Sequence, residues 1–280
     1  GFTADLSYNY VNQSQARYGS GTASSAKISE FWLTGQEIED YTMTRTTTAS
    51  FNYSSDTWGV NTQFPFVQRT HGTFGDNGAS ASSSPDYSSY ASSSESGIGD
   101  IRIIGRYTGF SADKSAGITA GIKLPTGNTN ANFSDGVTPL DASLQIGTGS
   151  TDLILGGFFS GTVAEYGWFA QATVQHAITI KNDYRPGDTY ALNTGIRYAK
   201  FGAQFTPMLQ LNYIHRAPDD SAGTPFDGGT LVYLAPGASF RVGNGTSIYG
   251  FVQLPVYQNV YGLQLSPRNT VTVGIKHSFD

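Results

Sequence analysis

Residues 2–10 read FTADLSYNY, and residues 41–53 read YTMTRTTTASFNY. In the first stretch Phe2, Ala4, Leu6, Tyr8 and Tyr10 alternate with Thr3, Asp5, Ser7 and Asn9. Successive side chains of a strand point to opposite faces, so this alternation gives one apolar face and one polar face. In the second stretch Thr42, Thr44, Thr46, Thr48, Ser50 and Asn52 share the polar face, and among charged residues only Arg45 interrupts the other. A tilted strand of about 9–11 residues crosses the hydrocarbon core of a bilayer. Both stretches have that length and the two-faced character that a membrane wall requires.

The same pattern recurs along the chain. Residues 58–69 set Trp58, Val60, Phe64 and Phe66 on one face, and residues 100–110 set Ile101, Ile103 and Tyr107 opposite Arg102 and Arg106. Residues 116–125 oppose Ile118, Ala120, Ile122 and Leu124 to Thr119 and Lys123, and residues 152–160 oppose Leu153, Leu155 and Phe159 to Asp152 and Ser160. Six further segments, 168–177, 189–198, 203–213, 231–242, 247–257 and 270–279, bring the expectation to about twelve strands. Between 231 and 257 the phase stays ambiguous, because Val232, Leu234, Phe240, Tyr249 and Phe251 do not keep to one side.

The connections form a second pattern. Long ones fall at 12–40, 70–99, 126–151, 178–188, 214–230 and 258–269, and short ones near 54–57, 111–115, 161–167, 199–202 and 243–246. They alternate throughout. A barrel with both ends of the chain in the periplasm, short inner turns and long extracellular loops has this arrangement, whereas a soluble sandwich has no reason for it. The Ser-rich segment 78–99 reads as a solvated loop or a recognition segment. No linker introduces a fresh hydrophobic pattern, so residues 1–280 read as one domain.

Composition narrows the classes. Of 280 residues, 38% are hydrophobic and 13% charged, below the roughly 45–50% and 25% of ordinary soluble domains. The 34 Gly, 17 Tyr and 17 Phe favour strands and turns over a helical bundle. The absence of cysteine excludes disulfides, thiolate metal sites and a cysteine nucleophile. A net charge of −5 argues against a nucleic-acid partner. The sequence has no run of about 18 apolar residues, and it begins without a charged and apolar leader, as a mature form would.

Alternation assigns the interior. The expected lumen-lining charged residues are Asp5, Arg102, Arg106, Lys123, Asp152, Arg197, Arg241 and Lys276, and the expected lumen-lining aromatics are Phe158, Phe169, Tyr233 and Tyr257. The basic excess suits an anion-preferring passage, or else arginines and lysine that pair with the carboxylates to brace a closed wall. The aromatics suit a path for an aromatic solute, or else plain filling of a narrow lumen.

Catalysis has little support. His71, His176 and His215 fall in or beside expected outer loops and His277 near the end of the chain, yet no serine is placed as a nucleophile beside them. Aspartates in FGDNG (74–78) and NANFSDG (130–136) lack the ligand spacing of a calcium loop. We expect no enzyme activity, no metal and no cofactor.

Three stretches, GIKLPTGN (121–128), YRPGDTYALNTGIRY (184–198) and VQLPVYQNVYGLQLSP (252–267), resemble the outer-membrane transporter family named for the MetA pathway of phenol degradation. The terminal TVGIKHSF (272–279) resembles the C-terminal signal read by the barrel-assembly machinery, with His277 in place of the usual aromatic and Asp280 following the Phe. The resemblance implies a small-solute transporter and carries no binding residues with it. The expectation is a single outer-membrane channel for small anionic or aromatic solutes, surrounded by lipid bilayer and lipopolysaccharide. The alternative is a non-conducting barrel that anchors a periplasmic or surface protein partner. Pro125 and Pro255 cannot donate to a ladder, so each marks a strand end or a bulge.

Overall fold

The computed structural model describes residues 1–75, 84–202, 204–221 and 227–279. Its strands are β1 (Phe2–Gly19), β2 (Gly21–Thr22), β3 (Ile38–Ser54), β4 (Trp58–Phe74), β5 (Tyr90–Ile98), β6 (Ile101–Tyr107), β7 (Ala116–Leu124), β8 (Asp152–Val163), β9 (Tyr166–Ala177), β10 (Thr189–Tyr198), β11 (Phe205–Arg216), β12 (Gly229–Gly243) and β13 (Thr246–Ser278). One α-helix, α1 (Ser25–Leu33), lies between β2 and β3. No helix among the described residues is long and apolar enough to cross a membrane.

Eleven of these elements form a closed antiparallel ring, β1-β3-β4-β6-β7-β8-β9-β10-β11-β12-β13, with β13 returning to β1. Outside the ring lie β2, paired to β1, and β5, paired to the upper part of β4. An odd number of straight antiparallel strands cannot close a ring, because the first and last would run in the same direction. β13 resolves the parity by doubling back: residues 246–260 pair with β12 and residues 260–278 pair with β1. Gly262, at φ +63°, sits at the fold of this hairpin, where the left-handed backbone favours glycine. The arms are joined by Ser278 N to Gly245 O (2.8 Å), Thr246 Oγ1 with His277 Nδ1 (2.7 Å) and Gln258 Nε2 to Pro267 O (2.8 Å). The wall is therefore crossed twelve times by eleven elements.

The outer surface is the apolar face of the alternation. Leu6, Ile103, Ile118, Leu155, Leu192, Leu211, Leu254 and Ile275 are exposed and form its belt. Tyr53, Trp58, Tyr107 and Tyr166 edge it at the short-turn end, as amphipathic rings do at a membrane interface. Gly1 and Phe279 meet at that same end, through Ser54 N to Gly1 O and Phe279 N to Phe2 O.

Four of the long connections expected from sequence are partly strand. β1 runs to Gly19, β5 occupies 90–98 within the Ser-rich segment, β11 runs to Arg216 with β12 starting at Gly229, and β13 runs through 258–269. Residues 76–83 of the Ser-rich segment lie outside the described residues. The physical reason is shared: above the apolar belt both faces of a strand are wet or packed on loops, so the ladder continues while hydrophobic alternation stops. The ambiguous phase also resolves. Val232, Leu234 and Phe240 face outward, whereas Tyr249 faces inward and its hydroxyl bonds Asp5. Pro125 directly follows β7, and Pro255 stands at a register shift between β12 and β13.

Candidate functional site

The ring register sorts the expected interior residues. At the short-turn end Asp5 lies opposite Lys276 on the inner face and accepts bonds from Tyr249 Oη at 3.1 and 3.0 Å. Arg106, Arg197 and Arg241 share this end and this face, and Arg106 Nη2 donates to Ser54 Oγ at 2.8 Å. The middle of the wall presents neutral amides and hydroxyls: Asn9 to Thr272 (2.8 Å), Asn212 to Asn193 (2.8 Å) and Gln253 to Asn212 (3.1 Å). Phe158 and Phe169 face inward against glycines of the neighbouring strands, Gly117 and Gly195.

Tyr257 is a correction. It pairs with Val232, which pairs with the outward Tyr213, and it is 49% exposed. The register shift between Val232 and Tyr233 skips Val256 and reverses the phase of β13, turning Tyr257 to the exterior. Tyr233, one step along β12, stays inside and buried.

At the long-loop end, Lys123 joins Asp100 (3.2 Å) and Asp152 (3.1 Å), all three side chains buried. Ser150 Oγ and Gln175 Nε2 donate to Asp152, each at 2.6 Å. Asp100 accepts from Gly127 N, Thr148 N and Thr148 Oγ1, all at 3.0 Å, and so ties both ends of segment 125–151 to the wall. Arg102 lies in the field of Asp152 and Asp100. Here the basic groups brace the wall.

Sequence reasoning missed Arg69, although its position, out of phase with Phe64 and Phe66, already placed it inside. Its Nη1 donates to Leu144 O (2.9 Å) and Gln145 O (2.8 Å), holding segment 125–151 over the inner face of β4. That segment has its own small core of Ala131, Phe133, Leu140 and Leu144, and Gln145 bonds across it to Ala131 N and O and to Leu140 O. α1 closes the mouth from the other side. Ser24 caps its first turn by accepting from Lys27 N, and Trp32 packs with Ile38 and Leu263. Asp135 of the NANFSDG stretch accepts from Val137 N, Thr138 N and Thr138 Oγ1, and no group of three metal-ligating side chains occurs among the described residues.

Between α1 and segment 125–151 lies a cavity of about 1530 Å³. Phe31, Ile38, Leu140, Leu144, Ile214, Leu231, Val260, Leu263 and Leu265 supply apolar wall, and Glu37, Glu39, Asp141, Asp227, Arg69 and Arg216 supply charge. Burial pushes the Asp141 carboxyl up. At the rim Asp219 accepts from Tyr184 Oη (2.6 Å), Arg216 Nη2 (2.5 Å) and Gly187 N (2.7 Å), and its own amide donates to Asp227 Oδ1 (2.8 Å). Burial, then a proton shared between the carboxyl groups of Asp227 and Asp219, pushes Asp227 up to about 7 against the opposing effect of the Asp219 amide. Burial would also raise Asp219, but the Asp227 bond and the Arg216 charge outweigh it and hold Asp219 below the usual carboxylate range.

The sequence matches no protein-family model and no curated protein. Solved structures do match. An outer-membrane channel from Pseudomonas putida F1 is similar over 99% of this chain and 95% of its own, with TM-score 0.69 and 13% identity. The monoaromatic hydrocarbon channel CymD covers 100% of this chain and 88% of its own, with TM-score 0.52 and 10% identity. The β domain of the Bordetella autotransporter BrkA covers 100% and 99%, with TM-score 0.54 and 9% identity. The chain is placed in the bacterial outer membrane. At these identities the likeness is one of fold, and none of these matches confirms the MetA-named family.

Proposed function

We propose that the barrel passes small, uncharged or aromatic solutes across the outer membrane, with the long-loop end facing outward and both ends of the chain in the periplasm. The observation that carries this reading is the vestibule of about 1530 Å³, whose apolar wall opens on the inward face of the barrel. A small apolar solute gains by leaving water for such a wall, by about 25 cal/mol per Å² of apolar surface buried. Acidic groups at the mouth, Glu37, Glu39, Asp141 and Asp227, outnumber Arg69 and Arg216 and in their ionised form oppose entry of an anion there. The likeness in fold to a monoaromatic hydrocarbon channel supports the same solute class.

The test is whole-cell uptake of a labelled small aromatic by cells expressing the barrel, compared with cells expressing Leu140→Trp, which narrows the vestibule. Uptake should rise several-fold over cells without the barrel and fall back with the Trp variant. Equal uptake by all three would overturn the reading.

A further inference from the structure

The wall carries a second recess, of about 460 Å³, outside the lumen. It is lined by Gln15, Arg17, Ser20, Pro255, Val256, Tyr257, Gln258 and Arg268. Its position follows from register. Up to Asn12 the even residues of β1 face outward, as the exposed Leu6 and Tyr8 show. Shifts between Asn12, Gln13 and Gln15 then reverse the phase, so Ala16 packs inward against the core around Trp32 while Gln15 and Arg17 turn out. The partner strand shifts at the same level, leaving Arg268 unpaired in the ladder between Asn269 and Pro267. These shifts and the one at Val256 collect two arginines and a tyrosine on one exterior notch just above the apolar belt.

The notch is basic within an acidic protein. No carboxylate lines it. Arg17 is aimed by Nε to Ser266 Oγ (3.3 Å) and Nη1 to Ser20 O (2.6 Å), which leaves Nη2 for a ligand. Arg268 makes no hydrogen bond or ion pair among the described residues, and its exposed guanidinium projects at the rim. Below them Arg45, opposite Tyr10 on the outer face, lies over the Tyr10 ring. Guanidinium forks match phosphate oxygens two at a time. A surface at the level where lipid headgroups begin, carrying guanidinium groups, a tyrosine ring and no acid, fits a phosphorylated headgroup.

We propose that this notch binds the phosphate of an anionic glycolipid of the outer leaflet, with Arg17 and Arg268 as its ligands and Tyr257 against the sugar. The proposal rests on the outward orientation of the long-loop end given above, but not on passage of solute, because none of these side chains lines the lumen. The test titrates the detergent-solubilised full chain with a bis-phosphorylated diglucosamine lipid, its dephosphorylated form, and inorganic phosphate alone, reading bound lipid by native mass spectrometry. The phosphorylated lipid should bind at least tenfold more tightly than the dephosphorylated one, and Arg268→Gln and Arg17→Gln should each remove most of that difference. Arg268 is exposed, so its variant folds and decides the matter alone if Arg17→Gln does not. Equal binding of the two lipids, unchanged binding by Arg268→Gln, or full competition by inorganic phosphate at comparable concentration would overturn the proposal. Uptake of the aromatic should be unaltered in both variants, which separates failure of this site from failure of the channel.

Discussion

Replacing Lys123 by Met should unlock the mouth of the barrel. Its ammonium lies 3.2 Å from Asp100 and 3.1 Å from Asp152, with all three side chains less than a tenth exposed. At an effective dielectric of about 20, each contact is worth about 5 kcal/mol of gross attraction, most of which offsets the desolvation of three ions. Removing the shared cation leaves two buried carboxylates facing each other, and breaking such a set costs about 3–5 kcal/mol. The cost falls on segment 125–151, because Asp100 holds both of its ends through Gly127 and Thr148. Two readouts apply: urea unfolding followed by tryptophan emission, and conductance in a planar bilayer. Of the three tryptophans, Trp32 is buried at the mouth, whereas Trp58 and Trp168 face outward, so quenching by brominated lipid separates mouth from wall. We expect the Trp32 signal to change at lower urea and conductance to rise. Adding Asp152→Asn to Lys123→Met should restore part of the loss. Lys114→Ala, which breaks an exposed pair with Asp56, should cost under about 1 kcal/mol. A Lys123→Met protein within 1 kcal/mol of the parent, with unaltered conductance, would refute the idea that this cluster latches the loop.

The rim should respond to pH in two directions. Asp227, raised to about 7 from 3.8, contributes stability that is full below the unfolded value and is lost as pH rises toward 7. Asp219, held low, contributes stability present above 3.8 and lost as pH falls through its own lower value. Protection of the Gly187 amide, corrected for intrinsic exchange, should therefore fall between about pH 4 and 7. Asp227→Asn should abolish that fall, and persistence of the slope in the variant would count against the shared proton. Tyr233→Ala should widen the lumen, raise conductance and cost about 3–5 kcal/mol as a buried aromatic truncation, whereas Tyr257→Ala should leave conductance unchanged. The reverse result would mean that the register shift at Val256 is misplaced.

The sequence showed the barrel wherever lipid imposes a rule. Leu6, Ile118, Leu155 and Ile275 alternate with polar residues because one side of each strand meets hydrocarbon and the other meets the lumen. Beyond the belt that rule lapses. Residues 12–19 (NQSQARYG) and 90–98 (YASSSESGI) pair as strands with no apolar alternation, so composition alone reads them as loops. The phase of Tyr257 was hidden for a different reason. A single extra residue at Val256 reverses every side chain after it, and only the partner strand reveals the shift. The brace at Lys123 needed Asp100 from the link before β6 and Asp152 from β8, while the latch at Arg69 needed two carbonyls some 75 residues away. Alternation supplies facing, and pairing supplies partners.

The order of environments along the axis bears on what could traverse it. A solute entering from the long-loop end meets an apolar wall with carboxylates, then neutral amides such as Asn9, Asn193 and Gln253, then the basic end of Arg106, Arg197, Arg241 and Lys276. Passage requires binding strong enough to draw the solute in and weak enough to let it go. A small aromatic burying roughly 100 Å² of apolar surface gains about 2.5 kcal/mol, which corresponds to a dissociation constant of about 15 mM. The amide section beyond offers no comparable apolar surface, so on the proposed function the vestibule would hold the solute only weakly. An anion meets the opposite sequence, repelled where an aromatic is drawn in and held where an aromatic is released. On the proposed function, the two charge zones act on anions, slowing their entry, and leave an uncharged solute to follow its own concentration gradient, even though most of the inward charges on the wall are basic.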